Sequence, residues 1–284
     1  MTNNGLTTCE IETAPVKKQG SNTQVRLLPD LDGTEFVDAK IVGTRFPLHF
    51  HDTFVIQFVR GGTDWCCGTD LSASRGQVFI HDPHAPHTGG PVDGTLLRYQ
   101  AIYPRASLLR ELTGVEPGQV CSGSTTVLSQ PRFVNRVRAL MEECQRNTRA
   151  PNAGLRLRSE LTAVFELLLE SRSSAADNSA ATPIYQKMLK ARQYLRENFD
   201  RDVTNLELGS TCGVSPYHLI RSFKNHFGIT PRQFLISQRV VHAKRLIASG
   251  ETVASAAHAC GFADQSHLCR FFKRLTGYAP SHMR

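Results

Sequence analysis

The chain of 284 residues carries 33 Lys and Arg against 25 Asp and Glu, a net charge of +8, with 8 Cys and 40% apolar residues. That length suggests about two domains, and the apolar content can fill cores, which excludes wholesale disorder and collagen-like or low-complexity chains. No apolar run approaches the ~20 residues of a spanning helix, residues 1–5 lack the order of a secretory signal, and the Cys include no CxxC pair, so a cytoplasmic protein without a membrane segment or disulfide framework is expected.

Residues 1–20 read as a flexible tail and residues 21–130 as a β domain. Short strands are expected at Lys40–Val42, Thr53–Val59, Thr63–Cys67, Gln77–Ile80 and Leu96–Ile102. Gly61-Gly62, Gly68, Gly76 and Gly89-Gly90 punctuate them, a pattern that argues for a small all-β barrel or jelly roll. His49 and His51 alternate on one strand and therefore share a face, the spacing two ligands of one metal need. His87 could supply a third ligand, with His81 and His84 nearby. The run Gly43-x5-His49-Phe50-His51-Asp52, followed by Gly76, Pro83 and His87, resembles the cupin fold. The metal-binding form of that pattern wants a Glu shortly after the second His, where this chain has Val55, Ile56 and Gln57. No metal is therefore expected, with His49, His51 and His87 kept as the alternative ligand set. Trp65 is read either as an apolar wall of a pocket or as ordinary core. Cys66 and Cys67 point to opposite faces of a strand and cannot readily pair with each other.

Residues 131–170 are helical in pattern, with Phe133, Val137 and Leu140, then Leu157, Leu161, Val164 and Leu168, at near-helical spacing. Their apolar faces suit packing on the barrel or pairing with a second copy. Residues 171–183 contain no large apolar residue and read as a linker.

Beyond the linker the charge changes. Residues 184–284 hold 15 Lys and Arg against 6 Asp and Glu, while the rest of the chain is nearly neutral. A basic block beside a neutral one points to polyanion binding. The block also repeats. His218-Leu219-Ile220-Arg221-Ser222-Phe223-Lys224, then Gly228 and Pro231, returns 49 residues later as His267-Leu268-Cys269-Arg270-Phe271-Phe272-Lys273, then Gly277 and Pro280. Cys212-Gly213 matches Cys260-Gly261 with a one-residue slip. Each unit, about 204–225 and 252–274, reads as helix, glycine turn, helix. Ser215 with Pro216, and Asp264, are the expected caps of the second helices, whose Leu219 and Phe223, or Leu268 and Phe272, face inward.

With Ala259-Cys260-Gly261-Phe262-Ala263-Asp264-Gln265-Ser266-His267-Leu268, Gly228-Ile229-Thr230-Pro231, and Arg239 with Ala243 and Leu246, the block from about Tyr185 to Arg284 resembles the DNA-binding domain of the AraC/XylS family. The resemblance implies a multidomain α+β chain: a cupin-like effector-sensing domain with following helices, then an all-α domain with two helix-turn-helix units joined by a helix over Phe234–Ala248. It implies base-reading positions at Tyr217, Ile220, Arg221, Gln265, Ser266, Cys269 and Arg270. Of these, Arg suits guanine and Gln suits adenine. Lys224, Lys273 and Arg274 look like phosphate contacts. It implies an effector pocket at His49, His51, Trp65 and His87, a homodimer through residues 131–170, and contact with RNA polymerase. Gly209 departs from the Ala usual in the family. Since Gly in a helix costs about 1 kcal/mol, the first reading helix is expected to be less firmly held than the second.

The leading expectation is a DNA-binding transcription activator, not an enzyme, controlled by a small molecule and without a fixed cofactor. The rivals are a cupin metalloenzyme tethered to a DNA module, which the missing Glu counts against, and a ligand-independent binder whose barrel only dimerises. An effector that raises the melting temperature excludes the last.

Overall fold

The computed structural model describes residues 22–43, 45–66, 71–92, 95–119, 121, 123–146, 152–172 and 183–283. The expected tail at 1–20, most of the linker at 171–183, and Cys67 lie outside the described residues. Ser171 and Arg172 belong to a helix instead of the linker, and Pro183 opens the next one.

Among the described residues ten strands build the N-terminal half. They are β1 (Asn22–Leu28), β2 (Thr34–Val42), β3 (Phe46–His49), β4 (Val55–Gly61), β5 (Thr63–Cys66), β6 (Leu71–Ser74), β7 (Val78–His81), β8 (His87–Gly89), β9 (Leu96–Tyr103) and β10 (Thr125–Leu128). Six form one antiparallel sheet in the order β1-β2-β9-β4-β7-β10, while β3 pairs with β8 and β5 with β6. Among the described residues no ladder closes on itself, so the expected barrel is an open sheet with two small sheets laid over one face. The sequence pattern marks β4, β5, β7, β9 and the end of β2, and a strand through His49 and His51 of which β3 reaches only His49; it does not mark β1, β6, β8 or β10. These are short or edge strands, and β1 mixes Arg26 and Gln24 with its apolar positions, so their hydrophobic signal is weak.

Strand alternation assigns the two faces of the large sheet. Phe36, Ile56, Phe58, Val78, Ile80 and Ile102 meet α1 (Ala106–Thr113), α2 (Pro131–Gln145) and α3 (Ala153–Arg172) in one buried cluster. Phe133, Val137, Leu140, Leu157, Leu161, Val164 and Leu168 are all buried in that cluster. The helical stripes foreseen at 131–170 therefore pack on the sheet and on each other. The opposite surface of this helix pair carries the ion pairs Arg132–Glu170 and Arg136–Glu160. On the other face of the sheet, Val37, Val55, Val59, Phe79, Leu97, Tyr99 and Ala101 look toward a cavity and the C-terminal half.

The C-terminal half is helical: α4 (Pro183–Glu197), α5 (Asn205–Cys212), α6 (Pro216–Phe227), α7 (Pro231–Ala248), α8 (Val253–Ala259) and α9 (Gln265–Thr276). Met188, Leu195, Leu208, Leu219, Phe223 and Phe234 form the core of the first unit, while Ala256, Ala257, Cys260, Leu268 and Phe272 lie in that of the second. Cys212 and Cys260 are buried free thiols, as expected of small core residues. Between the units runs α7, which starts three residues earlier than the connector read from sequence because Thr230 and Gln233 form a reciprocal capping box ahead of it. Arg239 anchors this helix, donating from Nε to the Phe199 carbonyl at 2.7 Å and from Nη2 to the Arg201 carbonyl at 2.9 Å. Among the described residues no helix is long and apolar enough to cross a membrane.

Candidate functional site

The two helix-turn-helix units are built by local chemistry. Gly213 ends α5 in the left-handed region at φ 62°, and the Ser215 hydroxyl accepts from the His218 amide to start α6. In the second unit Gly261 turns at φ 71°, and Asp264 accepts from the His267 amide at 2.7 Å to start α9. Gly261 has no substitute, since a Cβ there would stand 2.4 Å from the Asp200 carbonyl oxygen. Leu219 and Phe223, and Leu268 and Phe272, are fully buried. Each second helix is thus fixed in rotation about its own axis.

That rotation leaves Tyr217, Arg221 and Lys224 exposed on α6, with Ile220 half-buried beside them. On α9 it leaves Gln265, Ser266, Arg270, Lys273 and Arg274 exposed and Cys269 half-buried. Tyr217 is 76% exposed, a large aromatic side chain with no packing role to explain it. His218 is exposed, with its Nε2 3.4 Å from the Ser222 hydroxyl one turn along α6, and His267 is half-buried, its Nδ1 accepting from the Ala263 amide ahead of α9.

Gly209 has a different meaning from the one expected. A Cβ on it would lie 2.7 Å from the Val214 carbonyl oxygen, so the glycine admits a turn that passes close over α5. Ala257 holds the equivalent place in the second unit. Helix propensity alone makes Gly209→Ala stabilising by about 1 kcal/mol; the close approach makes it destabilising by about 1–3 kcal/mol, the usual range for overpacking. Urea unfolding of the variant is expected to give the second sign.

The histidines expected to share a site do so. His49 on β3 pairs in register with His87 on β8, and the rings of His49, His51 and His87 stand 4.6–5.2 Å apart between centroids. His81 stacks on His87 at 3.8 Å, and its Nδ1 meets the Thr125 hydroxyl at 2.8 Å. Burial pushes His49 down to about 4 and His81 to about 3, and holds His51 and His87 well below the usual imidazole range, so all four are neutral at pH 7. Asp64 is pushed up to about 6 by burial, against the opposing hydrogen bonds from the Gly90 amide and the Gln57 side chain.

Trp65 is a correction. Along β5 the buried positions are Asp64 and Cys66, which leaves Trp65 on the alternate face. There it is half-buried under the Arg45 guanidinium at 5.4 Å, away from the residues that line the cavity.

The roof of this cavity was invisible in the sequence. The cavity measures about 40 Å³, and its lining combines His49, His51, His81, His87, Gln57, Asp64 and Tyr99 of the β domain with Lys244 of α7 and Leu275, Thr276 and Tyr278 at the end of α9. Lys244 Nζ lies 2.8 Å from Glu35, and Tyr278 donates its hydroxyl proton to the same carboxylate at 2.7 Å. Burial and that carboxylate hold the Tyr278 phenol well above its usual range. Other contacts between the halves include Phe50 stacked on Phe234 at 4.7 Å, Phe46 against Gly277, and Asp52 paired with Arg245. A second cleft of about 290 Å³ adjoins the cavity, and Glu35, His51, Tyr103 and Lys244 line both spaces.

Residues 33–175 match a family model described as the AraC-like ligand binding domain, and residues 208–284 match one described as a helix-turn-helix domain. The chain is 29% identical over 231 residues to the HTH-type transcriptional regulator YbfI of Bacillus subtilis (strain 168), covering 79% of this chain and 82% of that protein. It is 26% identical over 258 residues to the HTH-type transcriptional activator RhaS of Enterobacter sp. (strain 638), covering 87% and 91%. The fold is shared with ToxT of Vibrio cholerae in its unsaturated fatty acid-bound crystal structure, at a TM-score of 0.58, 12% identity, and coverage of 94% and 96%.

Proposed function

The chain belongs to the AraC family of transcription regulators, and from that premise we propose that it is a small-molecule-controlled activator that reads a specific duplex DNA sequence with α6 and α9. The observation that carries this reading is the pair of exposed arginines, Arg221 and Arg270, at matching positions of two separately capped helices. Tyr217, Ile220 and Arg221 read one major groove and Gln265, Ser266, Cys269 and Arg270 the next. Lys224, Lys273 and Arg274 hold phosphates and set register. The activator assignment rests on the RhaS relatives. The protein acts in the cytoplasm as a homodimer that contacts RNA polymerase, and carries out no catalysis of its own.

The effector belongs in the cavity between the halves, against His49, His51 and His87. Its size there sets a condition. A cavity of about 40 Å³ holds a water or two, whereas sites for small organic ligands run to about 300–1,000 Å³. An effector therefore fills the adjoining cleft as well, and to span both it parts Lys244 from Glu35. A ligand that favours the parted arrangement changes how α6 and α9 are presented, which is what a population shift requires.

Selection from random duplexes by the full-length protein, at two salt concentrations, tests the DNA reading. One motif is expected to enrich at both, with affinity falling steeply as salt rises. Binding without sequence preference contradicts it. A candidate metabolite that acts as effector is expected to raise the melting temperature and to shift DNA affinity together.

A further inference from the structure

We propose that the seat now filled by the Lys244 ammonium takes a primary aliphatic amine from solution, so that the ligand between the halves is a base and not an acid. This rests on the reading that an effector parts Lys244 from Glu35. Lys244 itself carries the inference, because it shows what the seat accepts. Its Nζ lies 2.8 Å from the Glu35 carboxylate, 5.5 Å from the centroid of the Tyr103 ring and 6.0 Å from that of Tyr278. A carboxylate with aromatic faces around it is a general way to hold an alkylammonium ion.

Which partner leaves decides which class of ligand fits. Glu35 lies within the large sheet, in register with Leu27 of β1 and with Tyr103 of β9, so ladders on both sides fix its backbone. The Tyr278 hydroxyl donates to the same carboxylate at 2.7 Å. Lys244 instead hangs from α7 on a long flexible stem. The adjoining cleft, which it also lines, offers its ammonium the carboxylates of Asp32 and Asp52. Lys244 can swing out, and the shorter side chain of Glu35 has no comparable reach. An acid bound to Lys244 leaves the Glu35 carboxylate buried without its cation, which is costly. An amine bound to Glu35 replaces one ammonium by another.

The rest of the lining agrees. Among the described residues around the cavity, Lys244 is the single Lys or Arg, and it faces Glu35 and Asp64. Once Lys244 has swung out, both acids remain and no basic side chain does. A ligand that brings a positive charge and hydrogen-bond donors restores the balance, whereas an anion deepens the deficit. The apolar body of the amine lies in the cleft, along Leu27, Val241 and Met283.

The test is calorimetric titration of the full-length protein with n-butylamine, which reproduces the stem and head of Lys244. Controls at matched ionic strength are n-butyrate, n-butanol and n-butyltrimethylammonium, the last a cation that cannot donate a hydrogen bond. Saturable binding is expected for the primary amine, weaker binding for the quaternary one and none for the acid or alcohol. Glu35→Gln is expected to weaken amine binding about 10- to 100-fold, the loss of one charge-assisted hydrogen bond. Lys244→Ala, which empties the seat, is expected to bind the amine more tightly than the unsubstituted protein does. DNA affinity measured in the same solutions separates the two readings. Amine binding without a change in DNA affinity upholds the ligand class and contradicts effector control, whereas butyrate binding that changes DNA affinity does the reverse. Because the unsubstituted protein is measured directly, misfolding of a variant cannot conceal a failure. The proposal is overturned if that protein takes up no amine, if it prefers butyrate, or if uptake is unchanged in Glu35→Gln.

Discussion

Replacing Arg270 by Ala is expected to weaken binding to the preferred DNA by about 1–3 kcal/mol, roughly 5- to 150-fold, and to remove discrimination at a single base position. The side chain is exposed on the free face of α9, three turns of which are locked by Leu268, Phe272 and Leu275 beneath it. Nothing in the folded core depends on it, so stability is expected to change by no more than about 0.5 kcal/mol. Lys273 lies one turn further along the same helix, and Lys273→Ala is expected to behave differently. It should weaken all duplexes alike and reduce the slope of log affinity against log salt by about one unit, the signature of one lost phosphate contact. Titrations of both variants against the preferred site and a scrambled duplex separate the two roles. Uniform weakening by Arg270→Ala contradicts its assignment as a base reader.

Removal of the Glu35 carboxylate is expected to have the largest effect on how the two halves dock. Its side chain is 14% exposed and that of Lys244 11%, and Tyr278 shares the same carboxylate. Glu35→Ala strands a buried ammonium between Tyr103 and Tyr278, and stranding one partner of a buried pair costs about 3–5 kcal/mol. That exceeds what the half-exposed Asp52–Arg245 pair supplies, about 0–1 kcal/mol. The halves are expected to separate, which small-angle scattering reads as a larger radius of gyration. In the double variant Glu35→Ala/Lys244→Met no charge is left buried, and much of the loss is expected to return. Unchanged dimensions in the single variant would contradict the role given to this pair in coupling the cavity to the DNA-binding half.

The parts of the molecule legible in the sequence are those decided over short stretches of chain. Ser215 and Asp264 cap their helices three residues from the amides they bind, and Gly213 and Gly261 turn the backbone in place. The 49-residue repeat then makes each unit evidence for the other. Strand period puts His49 and His51 on one face, but β3 ends at His49 and His51 follows it outside any strand, so the meeting of their rings rests on the chain beyond β3 and on the pairing of His49 with His87.

What failed did so for two physical reasons. Trp65 was placed by its chemistry when its parity along β5, opposite to Asp64 and Cys66, decides its face. The roof of the cavity was unreadable because its contacts cross the molecule. Tyr278 reaches Glu35 across 243 positions, and no local pattern marks either residue as a partner of the other. Lys244 sits on a connector helix that is buried on most sides, so no polar face of its own singles it out. Gly209 shows the same limit, since its propensity is a property of one residue whereas its fit depends on the passage of the Val214 carbonyl.

Central to the proposed function are two helices that read separate stretches of one DNA site. The most direct measurement is to repeat the duplex selection with full-length Arg221→Ala and Arg270→Ala proteins side by side. Each variant is expected to lose information in a different half of the motif, the two losses lying about one helical turn, 10–10.5 base pairs, apart. If both variants blur the same positions, or if neither alters the motif, α6 and α9 do not read successive grooves.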